Sequence, residues 1–107
     1  MRSLISAERP SDGIVGEEYG SERPDAEYVW VLDPIDGTKA FVSGKPSFGT
    51  LVALLHRGAP VLGIIDQPIT HERWVGITTG TAGAQTTLNG KPVRVRACPR
   101  LDLAMLY

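Results

Sequence analysis

Tyr28-Val29-Trp30-Val31-Leu32-Asp33-Pro34-Ile35-Asp36-Gly37-Thr38 is an apolar run that ends in two carboxylates, a turn glycine and a hydroxyl. Consecutive apolar residues over Glu27 to Leu32 predict a strand buried on both faces, and therefore a central one. Asp-Pro and Asp-Gly are turn dipeptides, so the simplest reading of Asp33 to Gly37 is the point where that strand turns. The same residues also read as a site. Proline fixes φ and removes an amide donor, so Pro34 predicts a loop that leaves the sheet rigidly. Asp33 and Asp36 are then held three residues apart on one tight turn. Sixteen positions before Asp33, a shorter apolar stretch, Gly13-Ile14-Val15-Gly16, also ends in acid, Glu17-Glu18. Side by side, two such strands gather three or four carboxylates at one sheet edge. That cluster repels itself unless a cation sits in it. Hard divalent cations take oxygen ligands, main-chain carbonyls included, and the Ile35 carbonyl lies between the two aspartates.

The bulk numbers set the class. At 107 residues the chain is about one domain long, and 42% hydrophobic with 21% charged residues is ordinary for a soluble globular protein. The formal net charge of −1 gives no field to draw nucleic acid or an anionic membrane. One cysteine, Cys98, excludes an internal disulfide and a zinc site built mainly from thiolates, which predicts a cytoplasmic protein. No apolar run reaches the roughly 18 residues of a membrane span. Met1 to Pro10 has neither the apolar centre nor the cleavage site of a signal peptide.

Along the chain, Leu4, Ile5 and Ala7 predict a short helix stopped by Pro10. Ser11-Asp12-Gly13 is a turn, Gly13 to Gly16 a strand, and Tyr19 to Ala26 a polar loop. Gly37 to Gly44 predicts a short helix, followed by a turn at Lys45-Pro46-Ser47. Strands follow over Phe48 to Leu55, Val61 to Asp66 and Arg73 to Thr78, the first two joined as a hairpin. Gly80 to Gln85 is a small-residue turn, and Asn89-Gly90 is the strongest hairpin signal in the chain, within Thr86 to Val95. Leu101 to Tyr107 is apolar and has nothing after it to cover it. Both ends read as cut, so the whole is expected to be a sheet-rich piece of a larger layered α/β domain, with apolar sheet faces that favour association.

Several known site patterns do not fit. The acidic spacing is wrong for an EF-hand, and neither Gly-x-x-x-x-Gly-Lys-Ser/Thr nor Gly-x-Gly-x-x-Gly occurs. His56 and His71 lie in separate turns, suit Mg²⁺ poorly and read as surface residues. Cys98 reads as an inert thiol, Trp30 and Trp74 as core or subunit interface, and Arg94, Arg96 and Arg100 as a solvated strand edge. Lys39 follows the acidic turn and reads either as a solvated charge or as a contact to phosphate.

Gly16-Glu17-Glu18-Tyr19-Gly20 followed by Trp30-Val31-Leu32-Asp33-Pro34-Ile35-Asp36-Gly37-Thr38-Lys39-Ala40-Phe41 resembles the inositol monophosphatase superfamily. Phe48 to Leu54, Gly63 to Pro68 and Asn89 to Val93 agree with it, so the resemblance covers nearly the whole chain but only the middle of a typical member. Lys39 directly after the threonine, and Ser43 to Leu55, look most like bacterial histidinol-phosphatases. The fold implied is an α+β, layered sandwich of the sugar-phosphatase type. Residues 1–107 form a partial domain of it, without the N-terminal helices, the aspartate that backs up the threonine, or the C-terminal subdomain with its Trp-Asp motif.

What the resemblance implies for the site is specific. Glu17, Asp33 and the Ile35 carbonyl look like ligands of a first Mg²⁺, and Asp33 and Asp36 of a second, with Mn²⁺ able to substitute. Asp36, Gly37 and Thr38 look like substrate contacts, the last two through main-chain N–H groups and the threonine hydroxyl. Glu18 and Lys39 stand beside them. The implied reaction is Mg²⁺-dependent hydrolysis of a phosphate monoester, by attack of a metal-activated water that Glu17 and Thr38 orient. The implied substrate is a small phosphorylated metabolite. Histidinol phosphate, in histidine biosynthesis, stands first; inositol-1-phosphate, another sugar phosphate or a bisphosphate nucleotide is the alternative. Full-length relatives are expected to be dimers. From another class, the chain reads as a non-catalytic, metal-binding remnant, because the last carboxylate of the second metal site lies in the C-terminal motif. On that ground the chain alone is expected to be a poor catalyst.

Overall fold

The computed structural model describes residues 1–78 and 83–105. Among them the helix α1, Arg2–Glu8, comes first, and its chain leaves through Arg9 ahead of Pro10. Three strands then build one side of the sheet: β1, Gly13–Gly16; β2, Gly20–Glu22; and β3, Tyr28–Asp36. A five-residue helix α2, Thr38–Val42, follows. The other side is an antiparallel meander of β4, Gly49–His56; β5, Ala59–Gln67; β6, Glu72–Thr78; β7, Ala84–Leu88; and β8, Lys91–Pro92. All eight join one sheet in the order β2-β1-β3-β4-β5-β6-β7-β8.

Among the described residues only β1 and β3 pair parallel, with Gly13 opposite Val29 and Gly16 opposite Leu32. This pairing needs the chain to cross from the outer strand β2 over β1 to its far side. The crossing passes so close that a β-carbon on Gly13 would lie 2.1 Å from the Arg23 carbonyl oxygen. Arg23 itself takes a positive φ of 46° and donates from Nε to the Asp12 carbonyl at 3.0 Å. At the far end of the crossing, Glu27 accepts hydrogen bonds from Arg57, and its carboxylate meets the His56 ring at 3.0 Å. The His56 ring stacks on Tyr28 with centroids 4.6 Å apart. His56 closes β4 instead of lying in a turn as its sequence context predicts, and its half-buried ring is taken up by Glu27 and Tyr28.

The core sits where the parallel pair is covered. Ile14, Val29 and Leu32 are buried, and beside them lies one buried charge, Asp12. The Asp12 carboxylate accepts from Trp30 Nε1 and Arg9 Nε, each at 3.0 Å. Burial pushes this carboxyl up, but the bonds from Trp30 and Arg9 and the Arg9 charge outweigh it and hold it below the ordinary 3.8. Trp30 therefore anchors the core through a polar tip as well as its ring.

Four expectations are corrected. Part of the predicted polar loop Tyr19 to Ala26 is the edge strand β2, because Gly20 at φ 66° folds it back on β1 as a tight hairpin. Asp33 to Asp36 does not leave the sheet: β3 runs through it to Asp36, and Pro34 is tolerated because the ladder is irregular there. β8 stops at Pro92, so Arg94, Arg96 and Arg100 lie on no strand edge. Instead Arg96 donates to the Leu103 carbonyl and Arg100 pairs with Asp102 at 2.7 Å, near a 3₁₀ turn at Leu101–Leu103. Ala84 and Gln85, predicted as turn, begin β7; residues 80–82 of that turn lie outside the described residues, and so do the last two of the apolar end, 106–107. The Asn89-Gly90 hairpin forms as expected, both residues at positive φ, 49° and 79°, as a two-residue turn of the twisted kind requires. No helix among the described residues is long and apolar enough to cross a membrane.

Candidate active site

The site is built on the ends of the parallel pair. The Glu17 amide donates to the Leu32 carbonyl at 3.4 Å, extending the β1–β3 ladder one step, so Glu17 and Asp33 emerge next to each other at the same sheet edge. The carboxyl ends of neighbouring parallel strands are where α/β sheets place their ligands. Beyond this point the β3–β4 ladder slips. Asp33 pairs with Leu51 and Asp36 with Gly49, so Pro34 and Ile35 together face the single residue Thr50. That is a β-bulge, which bends a strand and re-aims its side chains. The bulge is held inside by Asp33 Oδ1, which accepts from the Ile35 amide at 3.2 Å, and across the ladder by Thr50 Oγ1, which donates to the Pro34 carbonyl at 2.8 Å.

Gly37 then turns the chain into α2. It sits at φ 84°, and a β-carbon there would come within 2.9 Å of the Ser47 carbonyl oxygen, so the position requires glycine twice over. Its carbonyl accepts from the Ala40 and Phe41 amides, which starts the helix. The Thr38 hydroxyl donates to the Ile35 carbonyl at 3.2 Å, folding the turn back on the bulge. The first amides of a helix have no partner inside it and suit an anion. Thr38 and Lys39 are exposed on this first turn. Phe41 packs edge-on against Phe48, centroids 5.0 Å apart, and ties α2 to the start of β4.

The acids are adjacent in backbone but open differently. Glu17 and Glu18 border a cavity of about 400 Å³ with Arg2, Leu32 and Pro34, beneath the start of α1. Asp33 borders a groove of about 580 Å³ with Val31, Leu51, Ile65 and Trp74. Leu32 and Val31, consecutive on β3 and pointing to opposite faces, line the two hollows respectively. Among the described residues no three carboxylate, imidazole or thiol groups converge into a metal-holding set. By chemistry the donors do suit a hard divalent ion: the carboxylates of Glu17, Asp33 and Asp36 and the carbonyl of Ile35 are all oxygen. Glu17 and Asp36 are exposed, so rotation of their side chains meets little resistance.

Three residues of this edge are not flagged by sequence reasoning. Arg2 reaches from α1 to the Gly20 carbonyl at 3.1 Å and to Glu22 at 2.7 Å, and so roofs the cavity that Glu17 lines. Thr50 holds the bulge. Gln67 accepts the Ile69 and Thr70 amides at 2.6 and 3.0 Å and donates to the Pro46 carbonyl, steadying the loop whose Ser47 presses on Gly37. Gln67 after a strand and before Pro68 has the look of a turn cap; nothing local marks Arg2 or Thr50. His71 stays apart from the acids, its carbonyl accepting from Asn89 Nδ2 at 2.9 Å, and the exposed Cys98 thiol contacts the Arg100 carbonyl.

Comparison with known proteins fits this geometry. The chain is 54% identical over its full length to a chloroplastic bifunctional phosphatase of Arabidopsis thaliana, of which it covers 30%. It is 42% identical, over 69% of its length, to a histidinol-phosphatase of Mycobacterium tuberculosis, covering 28% of that protein. A solved inositol monophosphatase from Zymomonas mobilis superposes on 94% of the chain with a TM-score of 0.80 and 54% identity, the match spanning 37% of that structure. The chain therefore spans about a third of the length of these relatives. All of residues 1–107 match the inositol monophosphatase family, and with that match, the shared fold and the acid-ended parallel strands, the chain belongs to the inositol monophosphatase family.

Proposed function

We propose that this chain carries the metal- and phosphate-binding edge of a Mg²⁺-dependent phosphomonoesterase, as a partial domain over residues 1–107 of a longer cytoplasmic enzyme. The observation that carries the reading is the parallel register, which brings Glu17 beside Asp33 at the edge where the Asp36-Gly37-Thr38 turn begins. Glu17, Asp33 and the Ile35 carbonyl would hold one Mg²⁺, and Asp33 and Asp36 a second. Bound there, Mg²⁺ would polarise the phosphate and acidify water. The chain's own groups do the rest. Gly37 and Thr38 amides receive phosphate oxygens, and Glu17 with the Thr38 hydroxyl orients the attacking water. Lys39, exposed on the first turn of α2, adds a positive charge on the phosphate side.

Histidinol phosphate, in histidine biosynthesis, is the substrate this reading favours, supported by Lys39 after the threonine and by the likeness to the mycobacterial histidinol-phosphatase. Inositol-1-phosphate is the second reading, favoured by the likeness to the Zymomonas enzyme. The test is phosphate release from each ester by the longer protein that contains this chain, with and without Mg²⁺. Release from histidinol phosphate that stops on chelation is expected. Release that ignores Mg²⁺, or none from either ester, refutes the reading.

A further inference from the structure

We propose that Thr50 is a positioning residue for the acidic turn: its hydroxyl clamps the Pro34 carbonyl and so sets the bulge that separates Asp33 from Asp36. What the two aspartates then hold rests on the function proposed above. The clamp itself rests on the ladder. Between the Asp33–Leu51 and Asp36–Gly49 pairs, β3 spends two residues against one of β4, and that one is Thr50. A bulge leaves backbone groups off the ladder. Pro34 has no amide to offer, so its carbonyl is the group of that residue left to be fixed. Thr50 Oγ1 supplies the donor at 2.8 Å in a partly buried position.

The consequence is directional. The Pro34 carbonyl and the Ile35 amide belong to one planar peptide unit, so pinning the carbonyl to β4 aims the N–H on its other side at Asp33 Oδ1, 3.2 Å away, and the Ile35 carbonyl, one unit on, then accepts from the Thr38 hydroxyl. The side chains of Asp33 and Asp36 then leave the strand from either end of a fixed two-residue step. Without the clamp the carbonyl is free to rotate toward water, and the bulge can migrate along β3. Every shift by one residue would turn an aspartate to the other face. Thr50 thus acts on the aspartates through the backbone and touches neither the phosphate nor the water.

The test compares Thr50→Val, which keeps the branched shape and loses the donor, with Thr50→Ser, which keeps the donor. Hydrogen exchange of the metal-free chain is read residue by residue by mass spectrometry. The valine variant should exchange the Ile35 amide about tenfold faster, with Val52, Leu54 and Ile64 unchanged, and serine should restore it. Calorimetric titration with Mg²⁺ should show about tenfold weaker binding for valine and recovery for serine. Unchanged Ile35 exchange in the valine variant overturns the proposal, and so does exchange that rises equally across β3, β4 and β5, which would mark a merely structural residue. A wild-type chain that takes up no Mg²⁺ while Ile35 responds as expected refutes the metal reading and leaves the positioning role standing.

Discussion

Asp12, just ahead of β1, and Asp33, on β3, are both carboxylates at the parallel pair, yet they answer different questions. Asp12 is 2% exposed and saturated by Trp30 and Arg9. Its carboxyl is held below 3.8 in the fold, so its ionised form contributes stability at every pH above that value. The contribution is lost as pH falls through the lowered folded value. Denaturant melts between pH 2 and 6 should therefore show stability falling below about pH 4, with a shallower fall in Asp12→Asn. Asp12→Ala should cost about 1–3 kcal/mol at neutral pH, because it strands the Trp30 N–H, whereas Arg9 is solvent-exposed enough to find water. Asp33 is only half-buried and serves one amide, that of Ile35. Asparagine keeps an oxygen for that bond and removes the charge alone. Asp33→Asn should thus melt like the parent while weakening Mg²⁺ by about tenfold or more, since ligand charge sets affinity for hard cations. Unchanged affinity in calorimetry would remove Asp33 from the ligand set.

At the scale of elements, the strands were legible wherever an apolar run was bounded by turn residues. β1, β4, β5 and β6 fall within a residue or two of their predicted spans because Gly13, Arg57-Gly58 and Pro68 to His71 punctuate them. The adjacency of Glu17 and Asp33 was legible too, as two acid-ended strands. What was hidden depends on partners far along the chain. Gly20-Ser21-Glu22 has no strand-forming residue and pairs only because β1 offers it an edge. Pro34 looked like a strand terminator, and only the facing Thr50 shows why the strand continues past it. That Glu17 and Asp33 border separate hollows likewise depends on surrounding elements that spacing does not encode. The crossover gives a clean test of the architecture. Gly13→Ala would place a methyl 2.1 Å from the Arg23 carbonyl and should lose about 3 kcal/mol or more, with β1–β3 pairing. Gly44, at a positive φ of 71° but in open space, should lose only about 1 kcal/mol as alanine, the cost of the backbone conformation alone. Equal losses in thermal melts would mean that the crossing does not press on β1.

Taken whole, the molecule is a sheet with little to cover it. Its accessible surface is 8149 Å² for 11.5 kDa, against about 5,800 Å² for a compact protein of that mass. The radius of gyration, 16.1 Å, exceeds the roughly 13 Å of a compact chain of this length, and the shape is 46 × 43 × 25 Å. Among the described residues the buried apolar side chains, Ile14, Val29 and Leu32, all lie at the parallel pair. Along the meander, the register puts Ile65 beside Trp74 on one face and Leu62 beside Ile77 on the other, and Ile65 is 53% exposed, Trp74 37% and Ile77 42%. Apolar surface of this extent on a flat sheet associates. The 107-residue chain alone should therefore sediment as dimers or larger species whose size grows with concentration. Ile65→Lys and Trp74→Lys should shift it toward the monomer, because a charge on that face must be desolvated when a second surface covers it. Ile65 and Trp74 line the groove that Asp33 borders, so the double variant should also take up Mg²⁺ more weakly, and sedimentation is the readout that reports the sheet face alone. A chain that sediments as a monomer at all concentrations would mean that the meander faces are protected by contacts other than those of this sheet.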